Sequence, residues 1–179
     1  MAIQSTFAII KPEAIAQKLV GKIITQIEDA DLKIVKMKMM QVSRELAEKH
    51  YAKDDAWCAM VGGFMMKDYE KAGKDPVAEI GTADLIQAGR ILQQWTISNL
   101  ISAPVIIMEL TGENAVAHFR EVCGKTEPIA ADPKSIRGMY SKDSNFVSLM
   151  EKRTLLNLVH GSGNAEEAAA ELAMWFPES

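Results

Sequence analysis

The chain has 179 residues, a formal charge of −4, two cysteines, 48% hydrophobic and 25% charged residues. This is the size and balance of one globular domain; it excludes a disordered chain, a collagen-like chain and a disulfide scaffold. The acidity supplies no general field for a nucleic-acid backbone, although a local basic cluster could serve a small polyanion.

The N-terminal stretch MAIQSTFAIIKPE has no charged region ahead of its short apolar run, unlike a signal peptide. No apolar run approaches the roughly 18–20 residues of a membrane span. Cys58 and Cys123 fit no metal-binding spacing and read as reduced thiols. A soluble, cytoplasmic protein is expected.

Residues 3–10 are apolar and β-branched and predict a buried strand, with Pro12 opening a helical segment. Ile23, Ile24 and Ile27 recur at helical spacing between Gly21 and Ala30. Residues 32–41 alternate apolar residues with lysine, which predicts a half-buried strand. Ser43 is placed to cap a helix carrying Leu46, His50 and Tyr51. A second apolar helix follows from about Trp57 to Tyr69. Residues 71–78 are turn-rich. From Thr82 to Leu100 an amphipathic helix is expected, with Leu85, Ala88, Leu92 and Trp95 on its packed face. Pro104–Leu110 predicts a buried strand, and 113–122 a helix closed by Gly124. Residues 125–135 read as loop and 141–153 as a possible short helix. Leu155–Val159 predicts the last strand and Asn164–Trp175 the last helix. This alternation gives α/β or α+β around one core, and periodicity does not choose the strand order.

Of three histidines, His50 and His118 lie within helices, where a surface or satisfied ring is the ordinary case. His160 follows an apolar strand and precedes Gly161-Ser162-Gly163, where little bulk shields it. The helix opening at Asn164 could place a positive N-terminus near the same spot. Lys11, Arg120 and Arg137 read singly as surface charges, and spacing alone does not bring them together.

Several segments resemble the nucleoside diphosphate kinase family. They are TFAIIKPE at 6–13, the Gly-Lys-Ile-Ile to Leu-Lys-Ile-Val pattern at 21–35, His50-Tyr51, GENAVAHFREVCGKTEP at 112–128, SIRG at 135–138 and NLVHGSGNAEEAAAELAMWF at 157–176. The resemblance implies an α+β fold of ferredoxin-like type: an antiparallel four-stranded sheet with helices packed on it, plus two insertions. The expected organisation is one domain over 1–179, interrupted at about 68–103 and 139–154. The implied activity is ping-pong transfer of a γ-phosphate from a nucleoside triphosphate to a nucleoside diphosphate through a phosphohistidine on His160.

By the same resemblance, Lys11, Arg120 and Arg137 match phosphate-binding positions. Thr126 matches a hydrogen-bond donor to phosphate, and Asn157 a partner of the sugar hydroxyl. Tyr51 matches the tyrosine beside the histidine, and Glu171 the carboxylate that orients its ring. Trp57 is the candidate aromatic platform for the base, with Phe64 as runner-up. Mg2+ is expected to bridge the nucleotide's phosphates without a dedicated protein cage, and the chain is expected to form a homo-oligomer. A neutral imidazole is nucleophilic near pH 7, and phosphoryl transfer needs positioning and positive charge more than covalent help. Two other readings share the scaffold: a binding or regulatory protein without catalysis, and a phosphohistidine carrier. The filled catalytic positions argue against the first, and retained phosphate-binding residues against the second.

Overall fold

The computed structural model describes residues 3–177. The elements in chain order are β1 (Ile3–Ile10), α1 (Pro12–Ala16), α2 (Val20–Asp29), β2 (Lys33–Met40), α3 (Arg44–His50), α4 (Asp55–Lys71), α5 (Pro76–Ile80), α6 (Leu85–Leu100), β3 (Val105–Glu113), α7 (Ala115–Cys123), α8 (Ile136–Tyr140), α9 (Asn145–Met150), β4 (Val159–Gly161) and α10 (Ala165–Trp175), with a 3-10 turn at Pro128–Ala130. Met1, Ala2, Glu178 and Ser179 lie outside the described residues. The chain divides into two compact units.

Among the described residues the first unit comprises 3–42, 102–144 and 156–177. Its sheet has the order β2-β3-β1-β4, and every pairing is antiparallel. β1 lies inside, and its last residues are buried on both faces, which explains why the sequence shows a continuous apolar run rather than alternation. Ala8 and Ile10 join a core with Ile23 and Ile27 of α2 and Phe119 and Cys123 of α7. On the opposite face Phe7 stacks on Trp175 of α10, with ring centroids 5.3 Å apart. Phe7 and Phe119 are fully buried, each contributing about 2–3 kcal/mol. The antiparallel sheet and its covering helices bear out the ferredoxin-like α+β expectation.

Two expectations for this unit change. The last strand is Val159–Gly161, not Leu155–Val159, so His160 lies within the strand, opposite Ile9. β1 offers this edge only three register positions, and the residues before Val159 turn instead of pairing: Leu158 has φ +70°. The alternation in β2 also misleads. Met37 and Met39 lie opposite core residues Met108 and Ile106, yet both are exposed, because β2 is an edge strand and the core helices do not cover them.

The second unit comprises residues 43–101 and 145–155, and is helical. Ser43 caps α3 as predicted, accepting from the Leu46 N–H at 3.2 Å. Helices α4 and α6 cross closely enough that a Cβ on Gly62 would collide with the backbone of Leu85, and one on Gly89 with that of Cys58. Met65, Tyr69, Ala88 and Leu149 form the apolar centre, with Leu92 and Trp95 against it. The predicted packed face of α6 is therefore partly right. Leu85 is 42% exposed, whereas Gly89, Gln93, Ile97 and Leu100 are buried. The helix starts at Leu85 rather than Thr82 because Asp84 caps it, accepting from the Gln87 N–H at 2.8 Å. The turn-rich stretch ends in the short helix α5, opened by Pro76 and stopped by Gly81 at φ +81°.

Candidate active site

His160 sits on β4 with its Nε2 2.8 Å from Oε1 of Glu171, a buried carboxylate on α10. Oε2 of Glu171 accepts from Ser162 Oγ at 2.6 Å. Ser162 is fully buried and its Oγ also accepts from the Phe7 N–H, at 3.4 Å. A carboxylate accepting from Nε2–H fixes the tautomer that places the ring's lone pair on Nδ1. The helix carrying Glu171 is capped by Asn164, whose Oδ1 accepts from the Glu167 N–H at 2.7 Å. Gly161 serves packing rather than access. A Cβ there would stand 2.7 Å from the Phe119 ring, so glycine lets β4 lie against α7.

The basic residues converge. Lys11 is buried at the end of β1, and its Nζ donates to Asn157 Oδ1 at 2.6 Å. Asn157 Nδ2 in turn donates to the Thr126 carbonyl at 3.1 Å. Arg137 lies on α8, which Ser135 caps by accepting from the Gly138 N–H. Its guanidinium donates to three carbonyls: Asn157 through Nε at 3.2 Å, Gly124 through Nη1 at 2.7 Å and Val159 through Nη2 at 2.9 Å. It therefore braces both sides of the turn before His160. Arg120 is exposed on α7, and a Cβ at Gly163 would lie 3.5 Å from its Nη1.

The Cys123 thiol reports this clustering. Burial pushes its pKa up to about 11, while Arg137, Arg120 and Lys11 all act to lower it. The same thiol would lie 3.9 Å from a Cβ at Gly161. Burial brings the Lys11 ammonium down to about 8; Arg137 adds to that, and Glu13 and Cys123 oppose it.

The first unit thus holds Lys11, Arg120, Thr126, Arg137, Asn157, His160 and Glu171 of the expected set. The Thr126 side chain is exposed. Tyr51 and Trp57 belong to the second unit. The Tyr51 ring meets His50 edge-on with centroids 4.6 Å apart, and its carbonyl accepts from Gln93 Nε2 at 2.6 Å. Trp57 is half-buried with Lys53 Nζ 5.9 Å from its ring centroid, whereas Phe64 is 57% exposed.

Two polar residues in this arrangement escaped the sequence reading. Ser162 buttresses Glu171; its position two residues after His160 was the available signal. Glu13, inside the KPE motif, is buried and accepts from the Leu158 N–H at 3.0 Å. Nothing in the local pattern links residues so far apart in sequence.

The family model described as nucleoside diphosphate kinase matches residues 4–59 and 87–179. Its interruption, 60–86, overlaps the earlier of the two expected insertions, while 139–154 falls within the matched region. A nucleoside diphosphate kinase of Pyrobaculum aerophilum is 40% identical over 178 residues, covering 99% of this chain and 97% of the relative. One from Staphylococcus epidermidis is 34% identical, covering 98% and 89%. Among solved structures, an NDP kinase from P. aerophilum superposes with a TM-score of 0.93 at 39% identity, covering 99% of this chain and 97% of that one. A transition-state mimic of the Borrelia burgdorferi nucleoside-diphosphate kinase, with bound vanadate and ADP, gives 0.78 at 27% identity, covering 98% and 88%.

Proposed function

The chain belongs to the nucleoside diphosphate kinase family, and from that premise we propose that it moves a γ-phosphoryl group between nucleotides through His160. The observation that carries this reading is the Glu171–His160 contact, which puts the ring's lone pair on Nδ1. Nδ1 attacks the γ-phosphorus, a P–N bond forms, the bond to the bridging oxygen breaks, and its electron pair leaves with the nucleoside diphosphate. A second diphosphate then attacks the phosphohistidine and reverses the step. Glu171 keeps the Nε2 proton in place and stabilises the ring as it gains positive charge. Lys11, Arg120 and Arg137 neutralise charge on the phosphate oxygens, which supplies most of the catalysis in a loose transition state. Arg137 has donated to three backbone carbonyls already, so it works chiefly as a fixed charge.

Thr126 is assigned to phosphate and Asn157 to the sugar. Tyr51 and Trp57 keep the roles that the family resemblance gives them, and substitution of either is the test of each. Mg2+ would arrive with the nucleotide substrate and would offset part of the negative charge of its phosphates. Both oxygens of Glu171 are engaged by His160 and Ser162. We read residues 1–179 as one catalytic domain with insertions at about 68–103 and 139–154; two stretches matching a single family model support the single domain, and the break between them overlaps the first insertion but not the second.

The exposed Val35, Met37 and Met39 on an edge strand support a homo-oligomer. Met37→Lys should then lower the mass measured by sedimentation. Buried, free Cys58 and Cys123 support a cytoplasmic setting, and among the described residues no helix is long and apolar enough to cross a membrane.

Incubation with γ-labelled ATP should leave acid-labile phosphate on the protein, absent in His160→Asn. Added nucleoside diphosphate should chase the label into triphosphate. Label retained in the variant overturns the reading, and label that cannot be chased favours a phosphohistidine carrier.

A further inference from the structure

Leu158 is a bulky, fully buried residue with φ +70°, two positions before His160. Such a conformation costs roughly 1–3 kcal/mol and persists only where its surroundings hold it. Two backbone–backbone bonds and two from an arginine side chain hold this one. The Leu158 carbonyl accepts from the Lys11 N–H at 2.8 Å, and the Asn157 carbonyl from the Val159 N–H at 2.8 Å. Arg137 donates to the Asn157 and Val159 carbonyls on either side. The Leu158 N–H itself points at a side chain, Oε1 of Glu13 in the first turn of α1, at 3.0 Å.

Glu13 is a charged residue that is only 9% exposed, and a buried carboxylate is costly unless it has partners that reward it. Its hydrogen bond fixes the turn from which Asn157 reaches Lys11. It is also the carboxylate that acts on the buried Lys11 ammonium, which otherwise faces Arg137 on α8 and Cys123 on α7. One group thus addresses both the backbone before the nucleophile and the charge beside it.

We infer that Glu13 is a positioning residue for phosphoryl transfer, clamping the strained Leu158 turn so that Asn157, Lys11 and His160 keep one geometry. This rests on the functional reading above. The clamp has two separable parts, an acceptor oxygen and a negative charge. Removing both leaves the Leu158 N–H buried without its partner, and the turn relaxes. Removing only the charge keeps an acceptor but takes away an influence that holds Lys11 protonated, so Lys11 loses its proton at lower pH.

The test measures kcat/KM for ATP against pH, which reports groups of the free enzyme, together with thermal melting, for wild type, Glu13→Gln and Glu13→Ala. Glu13→Ala should lower kcat/KM about 10- to 100-fold per folded molecule, the scale of a small displacement of reacting groups. Glu13→Gln should recover most of that loss at pH 6.5, with its alkaline limb displaced to lower pH. Profiles that superimpose on wild type overturn the inference. So does an equal loss in both variants with an unmoved alkaline limb, or a loss fully explained by unfolded protein. His160→Asn run alongside separates the two levels. If it still forms phosphoenzyme, the functional reading fails; if it does not while the Glu13 variants behave as wild type, only the positioning role fails.

Discussion

The two units are held by different means. In the first, buried polar groups saturate one another around residues 157–162: Arg137 on carbonyls, Glu13 on an N–H, Glu171 on His160 and Ser162. In the second, two helices approach until only hydrogen fits between them, at Gly62 and Gly89. A network of hydrogen bonds fixes directions, which a nucleophile and its cations require. Close apolar packing fixes distance between elements and leaves side-chain chemistry free to vary.

The strongest way to break the second arrangement is Gly89→Ala. The added methyl meets the backbone of Cys58, which cannot rotate aside, so the helices must separate. Destabilisation of about 2–4 kcal/mol by chemical denaturation is expected, within the range of overpacked core sites. A change below 0.5 kcal/mol would show that the crossing is looser than described.

Next comes the charge of Lys11, which separates stability from activity. Its pKa falls from the ordinary lysine value to about 8 on folding, mainly through burial. Below pH 8 both states are protonated and the folded state carries the full cost of a buried ammonium. Between about 8 and the ordinary value the unfolded chain binds more protons, so this contribution to stability rises with pH, by up to roughly 3 kcal/mol. Activity should fall over the same interval as the cation is lost. Lys11→Met should flatten the stability term, seen as a smaller rise of denaturation midpoint with pH than in wild type. Parallel pH curves for the two proteins would contradict it.

A smaller effect sharpens the picture of the first unit. Asn164→Ala removes the cap of α10 and should cost about 1 kcal/mol. Because α10 carries Glu171, a modest fall in kcat should accompany it, and unchanged kcat would show that the carboxylate holds itself. Smallest is Tyr69→Phe in the second unit. The buried hydroxyl makes no hydrogen bond to the described residues, and an unmet polar group is costly. Its removal should leave the melting temperature unchanged or slightly raised, whereas a clear loss would reveal a partner for the hydroxyl.

Most of this scaffold was readable because local rules and tertiary structure agree. Pro12, Ser43 and Asn164 mark helix starts, Gly124 marks an end, and residues 7–10 of β1 form a continuous apolar run because both faces are covered there. The failures have a common cause. Leu155–Leu158 look like strand, but long-range bonds from Glu13, Lys11 and Arg137 hold the residues before Val159 in a turn. Met37 and Met39 look like core, but coverage of an edge depends on what lies beyond it. At the candidate site the residue types were legible from motifs. The bracing by Arg137, Glu13 and Ser162 was not, since it depends on which distant backbone atom each side chain meets.

The bond between Lys11 and Asn157 carries a last consequence. In the proposed reading Lys11 meets the phosphate and Asn157 the sugar, and the two already hold each other at 2.6 Å. An arriving nucleotide therefore meets two groups that already order each other, and less of its binding energy goes into fixing them. An enzyme that must release one nucleotide before admitting the next gains from that restraint, because the pair keeps its geometry from one occupant to the next.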